Sequence, residues 1–117
     1  MTHSENFYRQ DVFLEDLRQQ KDRQNQRIWA EHQQMQLSFL QRYGFTSSST
    51  VLDLGCGPMR LGSALIPILK DGWYFGQDIN ADTISFGEEV LRETGVSEQA
   101  PYTLFASDQF DLSLVDR

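Results

Sequence analysis

The sequence has few of the features that mark secreted or membrane proteins. Its single cysteine, Cys56, excludes an internal disulfide, and nothing indicates an oxidising compartment. The most apolar stretch, residues 61–69, is far shorter than the roughly 20 residues that a membrane-spanning helix needs. The N-terminal residues lack the basic and apolar regions of a secretory signal. We therefore expect a cytoplasmic protein with no membrane partner.

Basic residues are also scarce, since 10 Lys and Arg stand against 17 Asp and Glu, for a net charge of −7. An acidic chain lacks the diffuse positive potential that attracts a nucleic-acid backbone, so the sequence carries no strong nucleic-acid signal. The hydrophobic content of 39% is within the globular range, and the length suits one small domain.

The first part of the chain, residues 1–44, predicts a helical segment. Residues 5–17 fit a short amphipathic helix. A second helix is predicted from residue 28 to Gly44, with a stripe at steps of three and four residues. The stripe consists of Ile28, His32, Met35, Phe39 and Tyr43, and it is widened by Leu40 and Trp29. We expect this stripe to face the rest of the domain, which would make His32 a core histidine or place it at the edge of a substrate pocket.

The second part, residues 45–117, predicts an alternating α/β domain. Strands are expected at residues 51–54, 73–77 and 102–106, and helices at residues 59–69 and 81–94. Pro67 should bend or end the first of these helices, and Asn80 can cap the second. Such alternation implies parallel strands joined by right-handed crossovers.

The most informative stretch, residues 51–62, is a buried strand that enters a glycine-rich turn and then a helix. Glycines there allow a sharp turn and the close approach of a ligand, while a helix N-terminus supplies free N–H groups. Asp78, 21 residues after Gly57, ends the second strand. Because ligands of open parallel sheets lie beyond the carboxyl ends of the strands, Asp78 is placed to accept hydrogen bonds from ribose hydroxyls.

Two other nucleotide-binding motifs do not fit this turn. A dinucleotide motif, G-x-G-x-x-G, counted from Gly55 requires a glycine at position 60, which is Arg60. Counted from Gly57, the next glycine, Gly62, comes two residues too late. No Gly-Lys-Ser/Thr follows the turn, which excludes a P-loop. A nicotinamide or nucleotide-sugar enzyme thus rests only on shared topology.

The stretch Val-Leu-Asp-Leu-Gly-Cys-Gly at residues 51–57 resembles the first motif of class I S-adenosylmethionine-dependent methyltransferases. Its continuation looks like a subgroup with the turn G-C-G-x-L/M-R-x-G, whereas the commoner G-x-G-x-G would place a third glycine at Met59. Residues 74–80, Tyr-Phe-Gly-Gln-Asp-Ile-Asn, resemble the second-strand motif of this family. Residues 105–110 look like the third-strand end that meets adenine. The resemblance covers about residues 28–115.

The resemblance implies a set of cofactor-binding residues on the loops that follow the three strands. They are Asp53, Gly55, Cys56, Gly57, Arg60, Asp78, Ile79, Asp108 and Gln109. Gly55 and Gly57 would let the loop approach the methionine and ribose parts of S-adenosylmethionine. Asp53 would hold that loop or contact the cofactor amino group through water. Cys56 is better explained by small size at a tight turn than by nucleophilic catalysis, because methyl transfer needs no covalent intermediate.

The remaining roles concern the adenosine part and the carboxylate. Asp78 would bind the ribose hydroxyls, and Ile79 would pack against the adenine face. Asp108 would accept from the adenine amine, with the backbone N–H of Gln109 nearby. We also hypothesise that Arg60 steadies the cofactor carboxylate, because it is a cation at the opening of the helix.

The implied fold is a Rossmann-like sheet with strand order 3-2-1, incomplete before the fourth strand of the family. The first strand would then be an exposed apolar edge, and such an edge invites a homodimer or aggregation. The implied function is methyl transfer to an unidentified acceptor by in-line displacement. We assign no catalytic base and no metal. The alternative is a catalytically inactive module that binds the cofactor or a partner.

Overall fold

The computed structural model describes residues 26–109, together with Ser113 and Val115. In this part of the chain a long helix precedes three strands that alternate with shorter helices. The elements are α1 (Gln26–Arg42), β1 (Thr50–Leu54), α2 (Gly62–Leu65) with a 3₁₀ turn (Ile66–Ile68), β2 (Trp73–Asp78), α3 (Ala81–Glu93) and β3 (Tyr102–Ala106). The helix predicted over residues 5–17 lies outside the described residues. No helix within the described ranges is both long and apolar enough to cross a membrane.

The three strands form one parallel sheet in the order β1-β2-β3, which confirms the predicted order and direction. The register places Asp53 beside Gly76 and Asp78 beside Ala106. Among the described residues, β1 pairs only with β2, so its other edge is uncovered. Leu52 and Leu54 on β1 are 36% and 51% exposed, as expected for an apolar edge strand.

The hydrophobic core lies around the central strand β2, whose four interior residues are all buried. Side chains from the loop between β1 and α2, from α2 itself and from α3 complete this core. Its fully buried members include Met59, Leu65, Ile66, Tyr74, Val90 and Leu91. A central parallel strand is covered on both faces, and this explains its nearly continuous apolar sequence. The packing of the core therefore holds β2 in place. The loops at the carboxyl end of β2 are anchored to this fixed strand.

Helix α3 begins and ends as its sequence predicts. The Asn80 side chain accepts hydrogen bonds from the backbone N–H groups of Asp82, at 2.8 Å, and Thr83, at 3.3 Å. These bonds satisfy two of the donors that a helix N-terminus leaves without an internal partner. At the other end Gly95 has φ +88°, a left-handed conformation that suits glycine. The cap holds the start of α3 directly after Asp78.

The prediction that the apolar stripe of α1 faces the domain is wrong for its five main residues, whereas Trp29 and Leu40, which widen it, are partly buried. The main residues are exposed: Ile28 (48%), Met35 (63%), Phe39 (59%) and Tyr43 (72%), as is His32, which is therefore not a core histidine. The inward face carries Trp29, Gln33, Gln36, Leu37 and Leu40, all partly buried. The physical reason is that α1 packs on a loop with free backbone carbonyls, where amide donors are useful. Apolar periodicity alone does not detect this kind of interface.

The helix predicted over residues 59–69 is shorter than expected. It begins at Gly62, because Met59 has φ +66°, which a right-handed helix cannot contain. It passes into the 3₁₀ turn at Ile66, next to Pro67, whose ring prevents a regular continuation. The residues between β1 and α2 consequently form a longer loop than the sequence predicts. This loop is the centre of the candidate site.

Candidate functional site

The glycine loop, residues 55–61, is joined directly to the end of β2. The Gly57 N–H donates to Asp78 Oδ2 at 3.1 Å, and Asp78 Oδ1 accepts from the Asn80 N–H at 3.2 Å. The turn and the carboxylate that the sequence predicts to act together are therefore in contact. A carboxylate offers about four lone-pair sites, so Asp78 retains acceptor capacity beyond these two bonds.

Gln77 is a site residue that the sequence analysis missed. Its side chain is 1% exposed, and its two amide atoms join loops from both neighbouring strands. Oε1 accepts from the Gly55 N–H at 3.0 Å, while Nε2 donates to the Ser107 carbonyl at 2.6 Å. The Gln77 carbonyl also accepts from the Cys56 N–H at 2.7 Å. A glutamine inside an otherwise apolar strand was the available signal, because buried polar groups need partners.

The Met59 side chain anchors the glycine loop to the hydrophobic core. It has φ +66° at the position where the commoner pattern has a third glycine, so the sequence departs there while the backbone keeps a left-handed conformation. Its side chain is fully buried. A Cβ on Gly62 would lie 2.2 Å from Met59 Cε, and one on Gly87 would lie 2.7 Å from Met59 Cγ. These two glycines therefore make the space that the methionine fills.

Asp53 faces the loop from the end of β1. Its Oδ2 accepts a hydrogen bond of 2.6 Å from the Tyr74 hydroxyl. Burial raises the pKa of the Asp53 carboxyl, the nearby Asp78 charge raises it further, and the bond from Tyr74 opposes both. Burial and the Asp53 charge raise the pKa of Tyr74, which therefore stays a neutral donor. The pair holds one Asp53 oxygen in place and leaves the other for a second partner.

The Cys56 thiol is not suited to nucleophilic chemistry. Burial, aided by the charges of Asp53 and Asp78, raises the pKa of Cys56 to about 12. A thiol with such a pKa stays protonated at neutral pH, whereas the thiolate is the nucleophile. A Cβ on Gly76 would lie 3.2 Å from its sulfur, which shows how closely Cys56 packs on β2.

A cavity of about 160 Å³ lies between the glycine loop and α1. It is lined by Gln36, Asp53, Gly55, Cys56, Gly57, Pro58, Arg60 and Leu61. Two buried polar atoms of these residues, Gln36 Oε1 and Arg60 Nε, have no hydrogen-bond partner in the described part of the chain. Ligand pockets usually measure roughly 300–1,000 Å³. This cavity is therefore large enough for only one end of a cofactor-sized molecule.

The other predicted residues lie at the same end of the sheet. Ile79, after β2, is 51% exposed, and Asp108 and Gln109 are exposed on the loop after β3. That loop is held to β2 because the Ser107 N–H donates to the Asp78 carbonyl at 2.9 Å. The structure thus brings the nine predicted residues to the carboxyl ends of three neighbouring strands. It adds Gln36 and Gln77 to them.

No protein-family model matches the sequence, and no curated protein is significantly similar to it. Solved structures are similar in fold. A SAM-dependent methyltransferase from Aquifex aeolicus superposes with a TM-score of 0.53 and 19% identity, over 61% of this chain and 37% of that one. A SAM-dependent methyltransferase from Geobacter sulfurreducens in complex with S-adenosyl-L-homocysteine gives 0.50 and 19%, over 66% and 29%.

A third structure, coclaurine N-methyltransferase bound to N-methylheliamine and SAH, gives a TM-score of 0.54 and 20% identity. The match covers 63% of this chain and 21% of the enzyme. The chain therefore spans between about a fifth and two fifths of the length of these three proteins. At such low identity the likeness establishes the fold alone, an open parallel sheet of the Rossmann-like type.

Proposed function

We propose that this chain binds S-adenosylmethionine and forms the cofactor-binding part of a methyltransferase. The observation that supports this most directly is the bond between the Gly57 N–H and Asp78 Oδ2. It holds the glycine turn against a strand-end carboxylate that keeps further acceptor capacity, so the hydroxyls of a ribose lying over this pair could donate to Asp78. The turn Gly55–Gly62 further suggests the G-C-G-x-L/M-R-x-G subgroup, which is part of the proposal.

The polar groups at the site fit this cofactor. Buried polar atoms normally have a partner, and Gln36 Oε1 and Arg60 Nε lack one among the described residues. S-adenosylmethionine has a charged amino-acid end, a ribose and an adenine. These parts offer hydrogen-bond donors and acceptors to each region of the candidate site. Asp78 would accept from the ribose hydroxyls, Ile79 would cover the adenine, and Asp108 with the Gln109 N–H would bind the adenine edge.

When bound, the cofactor would supply a methyl group on a sulfonium: an acceptor atom would attack the methyl carbon in line, and the neutral thioether would leave. The residues of this chain contribute by binding and orientation, because holding donor and acceptor aligned is the main catalytic requirement. The bonds that Gln77 makes to Gly55 and Ser107 keep the loops at a fixed spacing, so the site is organised before binding. We assign no general base, since one is needed only if the acceptor carries a proton that must leave.

Calorimetric titration of the full chain with S-adenosylmethionine and S-adenosylhomocysteine tests the proposal. We expect the wild type to bind both. Asp78→Asn should weaken binding roughly tenfold to a hundredfold, because hydrogen bonds to a charged group contribute about 1.5–3 kcal/mol. Asp71→Asn is the matched control, since Asp71 is an exposed acid that bonds Ser48 and is not among the site residues. It should bind like the wild type.

Three results would count against parts of the proposal. A wild-type chain that binds neither compound would support an empty scaffold that acts through a partner. Binding without methyl transfer to any acceptor in a panel of small molecules, proteins and nucleic acids would support an inactive binding module. Equal binding by Asp78→Asn and Asp71→Asn would contradict the role of Asp78.

We also propose that the uncovered edge of β1 pairs with another strand, for example in a homodimer. The end position of β1 in the described sheet supports the proposal, and so does its exposed face, which carries Leu52 and Leu54. Leu54→Lys should reduce self-association in sedimentation velocity experiments, since a charge on an edge strand disfavours pairing. A monodisperse wild-type monomer at all concentrations would contradict it.

A further inference from the structure

The two faces of the sheet have different surroundings. Side chains alternate between the faces along each strand, and the register places Val51 and Tyr74 on the same face as Leu104. These three residues pack in one hydrophobic cluster with the side chains of α2 and α3. The opposite face, which we call the second face, carries Leu52, Leu54, Trp73, Phe75, Thr103 and Phe105. None of these six residues belongs to the cluster that contains the described helices.

The middle of the second face is nevertheless shielded from water. Phe75 is 2% exposed and Phe105 is 7% exposed, whereas Leu52 and Leu54 on the edge strand are 36% and 51% exposed. Neighbours within a sheet shield the sides of an aromatic ring but not its outward end, so burial this complete requires an element that lies across the face. Because the described helices cluster with the other face, this element belongs to the part of the chain outside the described ranges.

The segment at residues 5–17 has the sequence that such a cover needs. At about 100° of rotation per residue in a helix, its apolar residues Phe7, Phe13, Leu14 and Leu17 fall within an arc of about 120°. The charged residues of the segment all fall outside this arc, and they are Glu5, Arg9, Asp11, Glu15 and Asp16. The second face carries no charged residue, so an uncharged arc and an uncharged face are complementary.

The dimensions also match. A helix over residues 5–17 would be about 20 Å long and 10 Å wide, and three strands of five or six residues form a face of about 18 by 10 Å. Residues 18–25 can span up to about 26 Å, which is enough to pass from α1 around the end of the sheet. The chain after Gln109 fits less well, because it has only eight residues, among them Asp111, Asp116 and Arg117.

We propose that residues 5–17 form a helix that docks on the second face, with its apolar arc against Phe75 and Phe105. The chain then covers both faces of its parallel sheet with its own residues, which is the arrangement that parallel sheets require. The inference concerns a surface away from α2 and α3 and does not rest on the proposed function.

Nuclear Overhauser spectra of the full wild-type chain test the docking directly. We expect contacts from the Phe13 ring and the Leu17 methyl groups to the rings of Phe75 and Phe105. Contacts from Phe13 to Phe39 instead would place the segment on the exposed stripe of α1. Contacts to Phe75 from residues 110–117, contacts only between differently labelled chains, or no contacts from residues 5–17 would likewise overturn the proposal.

The coupling between two alanine substitutions gives a second test. Phe13→Ala and Phe105→Ala should each destabilise the fold in urea denaturation. Because contacting side chains couple, the double variant should be about fivefold more stable, in its unfolding equilibrium constant, than the product of the single effects predicts. The matched pair is Phe13→Ala with Phe39→Ala, which lies on the exposed face of α1. Its effects should simply multiply, and coupling to Phe39 but not to Phe105 would overturn the docking.

Trp73 reports on the second face without a change in the face itself. In a Trp29→Phe background Trp73 is the remaining tryptophan, and it is partly buried. Phe13→Asp should increase its quenching by acrylamide and shift its emission to the red. Val12→Asp is the matched control, because Val12 lies nearly opposite the apolar arc, and it should leave both signals unchanged. Equal quenching in the two variants would overturn the proposal, and if Phe13→Asp does not fold, the coupling measured with the alanine variants decides.

Discussion

The two sides of the glycine loop differ in how their polar groups are satisfied. On the β2 side, the N–H groups of Gly55, Cys56 and Gly57 all donate to acceptors of Gln77 or Asp78. On the α1 side, Arg60 Nε and Gln36 Oε1 remain without partners among the described residues. The comparison shows that the sheet organises the loop, while two polar atoms on the α1 side are left unpartnered. The hydrogen bonds that hold the loop are thus confined to its β2 side.

The largest expected effect comes from the anchor on the organised side. Met59→Gly relieves a left-handed backbone that costs a non-glycine residue about 1–2 kcal/mol. It also removes a fully buried side chain, which costs roughly 2–5 kcal/mol. The lost burial should outweigh the relieved strain, so we expect a net loss of about 2 kcal/mol in the free energy of unfolding, measured by urea denaturation.

Met59→Ala is the informative companion, because it loses the same burial and keeps the strained backbone. It should be about 1 kcal/mol less stable than Met59→Gly, the reverse of the usual order of these residues. Met35→Ala, on the exposed face of α1, should change stability by only a few tenths of a kcal/mol. If Met59→Ala were more stable than Met59→Gly, the left-handed conformation at residue 59 would be wrong.

The second effect tests whether the β2 side organises the site. Gln77→Met leaves the Gly55 N–H and the Ser107 carbonyl without their side-chain partner, so we expect a loss of about 2 kcal/mol in stability. Binding of S-adenosylhomocysteine and of 5′-methylthioadenosine, which lacks the amino-acid end, should weaken by the same factor in calorimetry, because the loop spacing affects both. If only the binding of S-adenosylhomocysteine weakened, Gln77 would act at the amino-acid end of the ligand. The two sides of the glycine loop would then not differ in role.

The contrast between the two sides also explains what the sequence could predict. The strands, the Asn80 cap and the meeting of Gly57 with Asp78 follow from local patterns, since parallel strands bring their carboxyl ends together. The strand order follows instead from the resemblance to a known family. Gln77 was missed because its two partners lie on loops 22 and 30 residues away in the chain. A single strand pattern contains no information about such distant backbone groups.

The face of α1 was predicted wrongly for a related reason. Apolar periodicity selected Met35 and Phe39, yet the helix turns Gln33 and Gln36 inward. A helix that packs on a core buries its apolar stripe, whereas a helix that packs on a loop also meets unpaired carbonyls such as that of Arg60. The choice between the faces depends on this tertiary partner, which the sequence of α1 does not specify.

A third prediction concerns Asp53, which contacts both sides. Because burial raises the pKa of the Asp53 carboxyl in the folded state, the folded chain holds this proton more tightly than the unfolded one. Its contribution to stability is therefore present below the ordinary pKa of 3.8 and is lost as the pH rises through the raised value. Asp53→Asn, which can still accept from Tyr74, should abolish this loss.

The measurement is the free energy of unfolding of both proteins from acidic to neutral pH. Other carboxylates titrate in both, so the difference between the two curves isolates Asp53. Asp53→Asn should gain stability relative to the wild type as the pH rises. Parallel curves would indicate that Asp53 is as well solvated as an ordinary surface acid, and the cavity would then be open to water.

The smallest effect uses Thr83 Oγ1, in the first turn of α3, which is another buried atom with no hydrogen-bond partner among the described residues. Thr83 is fully buried and is not among the residues that line the cavity. Thr83→Val replaces the hydroxyl by a methyl group of similar size and should stabilise the fold by about 1 kcal/mol, because no hydrogen bond is lost. Ligand binding should not change. Gln36→Met should likewise stabilise the fold but weaken S-adenosylhomocysteine. If both variants bound the ligand equally well, the unpartnered buried atom beside the glycine loop would have no more role in binding than the one inside α3.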